Sequence, residues 1–379
     1  MRVQAATTQI IDSYRAGVAL GEQLLALRPE VVFLFSSIHM ARSAGLLQGM
    51  HDVLEYEPLL VGASGDGVFF TEGAWQAGVS ALGLNSEGAV RWHLVCVPDA
   101  IARPAAAMGE ALAQANAWLD GRVSPLMFLF ADLRVDASEL ERVMAADTRV
   151  PIVGGLAGDD NLMNVCALFA NREVLNDCLL LLVAEGDLHF SLTLGHHLSS
   201  IGQIGRVDEA QGRRLLRIDG RSAQAFVADQ FGRELGASDV TTLALLDGES
   251  DHARRLRSVL PHMDAAGGLE LYAGVRAGDR VQVCVARPDE LLAEVNEIAS
   301  RLKPDQAPLA ALLFSCAGRK ATLGAAFVEE VRLLEQACPR LPLAGFPSFG
   351  EIAPVPLDDG GFSRTLFHNM TYVLLLIEP

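Results

Sequence analysis

Three runs of apolar residues recur along the chain and can be aligned without a gap. Each run ends in phenylalanine and is followed by a small residue: VFLFSSIH at 32–39, MFLFADLR at 127–134 and ALLFSCAG at 311–318. Uninterrupted apolar runs of this length are typical of strands that are buried on both faces of a sheet. The pattern therefore predicts three buried strands in equivalent surroundings.

A helical pattern and a second apolar strand follow each of these runs. In the helical segments, apolar residues recur at spacings of three and four. Each second strand then runs into a glycine and an acid, which are Gly65-Asp66 in LLVGASGD, Gly158-Asp159 in PIVGGLAGD and Gly350-Glu351 in PLAGFPSFGE. A strand, a turn and another strand come next. The chain is thus predicted to repeat a strand-helix-strand-hairpin unit, with the hairpin added antiparallel to the sheet of its own unit.

Repeated units of this kind predict a mixed α/β fold, which we expect to be divided into two domains. Between the second and third units, the sequence contains a strand, a turn at Asp219-Gly220 and a helix. We place the boundary at this turn. The expected domains are residues 1–219 and 220–379.

Composition and charge narrow the possible functions. The 379 residues are half hydrophobic, and 47 acidic residues against 30 basic ones give a net charge of -17, which disfavours binding to nucleic acid. The N-terminus lacks the apolar stretch of a secretory signal, and no apolar run is long enough for membrane insertion. The six cysteines are scattered without a CxxC pair. We expect a cytoplasmic protein with buried thiols.

Polar residues gather where the predicted strands end. In the third unit, FSCAGR places Arg319 at the carboxyl end of a strand, where ligands bind in open α/β sheets. Glu351 lies in an apolar loop, and buried carboxylates are normally paired. Arginine, glutamate and the N–H groups of a glycine loop could together hold a small zwitterion. The alternative is that Arg319 and Glu351 pair only to brace the loop.

The candidate ligand contacts extend to neighbouring residues of the third unit. Cys316, His368 and Glu351 could in principle form a nucleophile, a base and an orienting acid, but the spacing does not bring them together. We therefore predict a binding site with neither catalytic residues nor metal ligands. Its predicted contacts are Arg319, Glu351, Cys316, Ser348, Gly350, His368 and Asn369.

The third unit resembles the FIST family of bacterial and archaeal sensory domains. The resemblance lies in LLFSCAGR at 312–319, PLAGFPSFGEIAP at 342–354 and FHNMTYVLLL at 367–376, and the N-terminal half follows the family's layout. It implies a non-catalytic sensor of amino acids or related metabolites. It also implies that the output passes through a separate protein, such as a histidine kinase or a cyclic-dinucleotide enzyme.

The same resemblance implies one alternative, because some relatives bind haem and sense nitric oxide. Haem iron needs an axial ligand, usually histidine, in an apolar pocket. His39, at the end of a predicted strand, is the best-placed candidate for a haem b ligand, and His93 is the next. The sequence contains no haem attachment motif.

Overall fold

The computed structural model describes residues 1–41, 44–160, 162–195, 197–234, 240–246, 255–263, 266–302, 307–357 and 359–379. Within this part of the chain, the predicted mixed α/β fold is confirmed: three six-stranded mixed sheets surround a common core, and a seven-stranded antiparallel sheet lies in an insertion. No helix in the described part is both long and apolar enough to cross a membrane.

The first unit occupies the N-terminal part of the chain. Its elements are β1 (Arg2–Thr8), α1 (Ser13–Leu24), β2 (Val31–Ser37), α2 (Ile38–Ala41), α3 (Gly45–Leu54), β3 (Leu59–Gly65), β4 (Val68–Phe70), β5 (Gly73–Trp75) and β6 (Val79–Asn85). The second unit repeats this order with β7 (Val90–Pro98), α4 (Pro104–Leu119), β8 (Met127–Ala131), α5 (Ala137–Asp147), β9 (Ile152–Leu156), β10 (Leu168–Ala170), β11 (Glu173–Leu175) and β12 (Cys178–Gly186).

The third unit begins with β13 (Phe190–Gly195) and is then interrupted by the insertion. The insertion contains β14 (Ser199–Gln211), β15 (Arg214–Ile218), β16 (Arg221–Ser222), α6 (Ala223–Phe231), β17 (Thr242–Leu245), β18 (Arg255–Met263), β19 (Leu269–Leu271) and β20 (Arg280–Val285). The unit resumes with α7 (Pro288–Ser300), β21 (Ala310–Cys316), α8 (Ala317–Leu323), α9 (Glu329–Ala337), β22 (Leu343–Ser348), β23 (Glu351–Pro356), β24 (Phe362–His368) and β25 (Tyr372–Ile377).

The three predicted buried strands are confirmed as β2, β8 and β21, each paired in parallel with the second strand of its own unit. Their terminal phenylalanines meet in the core. The ring centroids of Phe35, Phe130 and Phe314 lie 5.8, 5.9 and 6.0 Å apart in pairs. The equivalent strands of the three units thus bring their phenylalanines together at one point of the core.

The predicted position of the hairpins is only half right. The last strand of each unit returns to its own sheet, as β6 pairs with β2, β12 with β8 and β25 with β21. The first part of each hairpin instead crosses to a neighbouring unit: β4 pairs with β22, β10 with β3 and β23 with β9. Each sheet thus receives a two-stranded hairpin from another unit, which covers the edge of β3, β9 or β22 and ties the three units together.

Candidate functional site

The three glycine-acid segments meet near the centre of the molecule. We call them the central loops: residues 64–66, 156–159 and 347–351. Backbone hydrogen bonds join them pairwise, from Gly158 N–H to the Ser64 carbonyl (2.7 Å), from Asp66 N–H to the Pro347 carbonyl (3.1 Å) and from Leu156 N–H to the Gly350 carbonyl (2.9 Å). A shift in the backbone of one central loop therefore acts directly on the other two through these hydrogen bonds.

Gly350 is required by the close packing of the third central loop. Its φ of +142° lies in a region that other residues rarely adopt, and a Cβ atom would lie 2.2 Å from Cζ of Phe367. Gly350 is one of the ligand contacts predicted from the sequence. The structure gives this glycine a packing role that is independent of any ligand.

The acids of the central loops have different partners. Asp159 is buried and accepts hydrogen bonds from the backbone N–H groups of Met163, Asn164 and Val165, at 2.6 to 3.1 Å. Such bonds fold the following segment onto the carboxylate and leave little capacity for a ligand. Asp159 is thus a structural residue of its loop.

Glu351 is completely buried and is held by hydroxyl groups. Ser348 Oγ donates to Oε1 at 2.6 Å, and Thr371 Oγ donates to Oε2 at 2.7 Å. Burial raises the pKa of Glu351 to about 7, and these hydrogen bonds only partly offset the loss of hydration. The carboxyl group can therefore gain or lose a proton near neutral pH without a charged hydrogen-bond partner.

Arg319 is completely buried among the helices of the third unit, and its guanidinium is bound to carboxylates other than that of Glu351. Its Nε donates to Oε1 of Glu330 at 2.8 Å, and its Nη1 donates to Oε2 of Glu294 at 2.9 Å. Nη2 donates to the Leu291 carbonyl. The alternative of a direct brace between Arg319 and Glu351 is therefore wrong, because the guanidinium is bound to two other carboxylates.

The adjacent residue, Lys320, faces the central loops. Its Nζ donates to the carboxylate of Asp66 at 2.8 Å and to the Asp66 carbonyl at 2.7 Å. The pKa of Asp66 is raised by burial and by a hydrogen bond with the carboxyl of Asp160, which in turn lowers the pKa of Asp160. His39 Nε2 lies 3.2 Å from Oδ2 of Asp160. We call these four residues the charged cluster.

The charged cluster combines both signs of charge with partial access to solvent. The side chains of Asp66 and Lys320 are 8% and 14% exposed, whereas those of Asp160 and His39 are about half exposed. The four residues follow β2, β3, β9 and β21 in the chain, so every unit contributes. Lys320 and Asp160 are not among the contacts predicted from the sequence, although Lys320 directly follows Arg319 and Asp160 directly follows the acid of the second glycine-acid segment.

The other predicted contacts lie in the protein interior. Cys316 is buried, which raises the pKa of its thiol, and His368 Nε2 lies 3.0 Å from the Ala353 carbonyl. Oδ1 of Asn369 accepts a hydrogen bond from the Ser258 N–H in the insertion. This geometry does not support a Cys316, His368 and Glu351 triad. A role for any of the seven predicted residues in ligand contact stays a prediction.

Comparison with known protein families matches one domain to each half of the chain. Residues 30–221 match the FIST N domain, and residues 213–354 match the FIST C domain. The chain belongs to the FIST family. The resemblance read from the sequence is thus confirmed, and the FIST domains assign the chain to the sensory proteins of signal transduction. The boundary at residue 219 stays a prediction.

Individual relatives add little to the FIST assignment. An uncharacterised protein of Methanocaldococcus jannaschii, MJ1623, is 33% identical over 99 residues, which cover 26% of this chain and 19% of that protein. A solved structure of cyanuric acid hydrolase aligns over 99% of both chains with 8% identity and a TM-score of 0.35. T. maritima PurL complexed with ATP aligns over 99% of this chain and 71% of its own, with 10% identity and a TM-score of 0.19. Both TM-scores and both identities are low.

His39 does not have the surroundings of a haem ligand in this FIST chain. Its side chain is 59% exposed, and its Nε2 faces the carboxylate of Asp160 rather than an apolar pocket. His93 is stacked on the ring of Trp118, with ring centroids 5.0 Å apart. The histidines selected from the sequence therefore do not fit an axial ligand, and haem binding stays an untested alternative.

Proposed function

We propose that this FIST protein is a non-catalytic sensor that binds a free amino acid, or a similar small zwitterion, at the charged cluster. The observation that carries the proposal is the contact between Lys320 and Asp66 at the meeting point of the three units. The family supports a sensory role but leaves the ligand open. The proposal moves the cationic contact from Arg319 to Lys320.

The chemistry of the cluster suits a zwitterion. The carboxylate of an amino acid would pair with the Lys320 ammonium, and its amino group would pair with the carboxyl groups of Asp66 and Asp160. Because the cluster is only partly hydrated, these interactions would be stronger than the same pairs in water. Glu351 and Arg319 would support the site from behind, through the loop and the helix that position Asp66 and Lys320.

The position of the cluster also suggests how binding is transmitted. A ligand that replaces the bond between Lys320 and Asp66 would act on α8 of the third unit and on the central loop of the first. The loops are hydrogen-bonded to one another, so the hairpins that they precede would shift together. We propose that a separate protein, of the histidine kinase or cyclic-dinucleotide enzyme class, recognises this change in the conformation of the hairpins.

The test is a thermal-shift and calorimetry screen of the full-length protein against the common amino acids. At least one amino acid is expected to raise the melting temperature in a concentration-dependent way. Lys320→Gln should abolish the shift, and Asp160→Asn should weaken it. Arg332→Gln is the matched control, because Arg332 is an exposed cation that pairs with Glu329 on α9.

Calorimetry well below the melting temperature separates lost binding from lost stability in Lys320→Gln. Retained binding in a folded Lys320→Gln variant would contradict the location of the site. A complete panel without any shift in the wild-type protein would contradict the proposed class of ligand.

A further inference from the structure

Two cysteines lie on one face of a sheet in the second unit. In the antiparallel pairing of β7 with β12, Cys96 lies opposite Leu180, and Cys178 lies opposite Pro98. Directly opposed residues point to the same face, and so do residues two apart on one strand. Cys96 and Cys178 are therefore diagonal neighbours. This pair is separate from the charged cluster, and nothing in the proposed sensory role uses it.

The two thiols differ in exposure and acidity. Cys96 is exposed on β7, which forms one edge of its sheet, whereas Cys178 is buried at the start of β12. The interaction between these neighbouring thiols lowers the pKa of Cys96 and raises that of Cys178. Cys96 is thus an accessible thiol with increased thiolate character, and a second thiol lies beside it.

The surroundings fix the position of the buried partner. The N–H of Asp132 donates to the Cys178 carbonyl at 3.2 Å, and the N–H of Asp177 donates to Oδ2 of Asp132 at 2.9 Å. A small oxidant can reach Cys96 because this residue is exposed, while the backbone of Cys178 is held in place.

We propose that Cys96 and Cys178 form a reversible dithiol-disulfide site that responds to hydroperoxides. The Cys96 thiolate attacks one peroxide oxygen, the O–O bond breaks, and hydroxide (or alkoxide) leaves as Cys96 becomes a sulfenic acid. The Cys178 sulfur then attacks the Cys96 sulfur, and the sulfenic oxygen leaves as water with the Cys178 proton. Two thiols are oxidised to one disulfide as the peroxide is reduced.

Closure of the disulfide would move the edge strand. Diagonal neighbours on antiparallel strands have Cα atoms about 7–8 Å apart. Disulfides usually join Cα atoms no more than about 7 Å apart. Because β7 is an edge strand among the described strands of its sheet, it can shift toward β12 more easily than a central strand. Oxidation is therefore expected to change the local arrangement of β7 as well as the thiol count.

The test uses the full-length protein, treated with hydrogen peroxide, alkylated and mapped by mass spectrometry without reduction. The expected result is a peptide that contains Cys96 linked to the peptide that contains Cys178 within one chain, and its loss after treatment with dithiothreitol. In Cys178→Ala, Cys96 should be trapped as a sulfenic acid by dimedone. In the folded Cys178→Ala variant, alkylation of Cys96 should also be severalfold slower than in the wild-type protein. Cys338→Ser, which replaces a buried thiol at the end of α9, is the control and should leave the link unchanged.

Two results would overturn the proposal. One is oxidation of Cys96 in the wild-type protein to a sulfinic acid or an intermolecular disulfide while Cys178 remains a free thiol. The other is the absence of oxidation at either residue under conditions that oxidise an accessible thiol of a reference protein. Both results come from the wild-type protein and do not depend on the folding of a variant.

Discussion

Arg319 and Glu330 form a buried ion pair, with Nε and Oε1 2.8 Å apart and both side chains inaccessible to solvent. Glu294 binds the same guanidinium at 2.9 Å, so one arginine joins α7, α8 and α9. Ser315 Oγ also donates to Glu330 at 2.8 Å, which connects the network to β21. The helices that cover the third unit are thus fixed by a residue that the sequence suggested as a ligand contact.

Arg319→Ala is expected to lower the free energy of unfolding by about 3–5 kcal/mol, because it leaves two buried carboxylates without their cation. Urea unfolding followed by circular dichroism measures this change. Arg332→Ala removes an exposed cation from the same region and should change stability by less than about 1 kcal/mol. Equal effects of the two substitutions would show that the buried network contributes no more than a surface pair.

Glu351 should make stability depend on pH between about 4.5 and 7. Its pKa in the folded protein is about 7, against an ordinary value of 4.5. Over this range the folded state binds more protons than the unfolded state, so the contribution of Glu351 to stability is full below the lower value and is lost as the pH rises. Glutamine at position 351 does not titrate, so Glu351→Gln should avoid this loss, which reaches about 3 kcal/mol in the wild type at pH 8.

Denaturant unfolding of the wild type and Glu351→Gln at pH 5 and pH 8 tests this expectation. Glutamine can accept from Thr371 through its amide oxygen and donate to Ser348, so the neighbouring contacts can be kept. The informative quantity is the stability difference between the two proteins and its change with pH. A difference that is the same at both pH values would contradict the raised pKa.

Gly350→Ala is expected to destabilise the protein by about 2 kcal/mol or more, because its Cβ atom would overlap Phe367 at a φ that alanine rarely adopts. Gly109→Ala is the matched control, since a Cβ there meets no atom within 4 Å on α4. Helix propensity predicts that the control is neutral or slightly stabilising. Thermal unfolding measures both variants, and an unchanged Gly350→Ala would show that the third central loop can relax.

The absorbance spectrum tests the haem alternative. The protein purified from cells supplied with a haem precursor is expected to lack a Soret band, because neither His39 nor His93 has the surroundings of an axial ligand. Addition of haem to the purified protein, followed by gel filtration, is the second measurement. A retained Soret band that is lost in His39→Ala would favour haem over the amino acid.

Residues 1–219, expressed alone, are not expected to fold cooperatively. This fragment lacks β23, which pairs with β9, and β25, which pairs with β13. The unpaired strands would expose apolar surface and favour aggregation. Gel filtration and thermal unfolding measure the outcome. A cooperatively unfolding monomer would instead support the boundary at residue 219 as the limit of an independent domain.

The repeated strands were predictable because a strand that is buried on both faces has an uninterrupted apolar run in its own sequence. The runs that contain Phe35, Phe130 and Phe314 are long and apolar whatever surrounds them, and their equivalent positions in the units indicated equivalent places in the fold. The sequence contains no comparable signal for the pairing partners of the hairpin strands. A strand that pairs with its own unit and one that crosses to the next have the same alternation, so only the packing of three units distinguishes them.

The candidate site shows the same division between local pattern and tertiary packing. The sequence by itself determined the family, the mixed α/β class, the repeat and the three glycine-acid segments, because these depend on residue types and short spacings. Only the tertiary structure decided that Arg319 binds Glu330 and Glu294 while Lys320 reaches Asp66. Successive residues on a helix differ in direction by about 100°, so one neighbour faces the helices and the other faces the loops. Which of them meets an acid depends on segments far away in the chain.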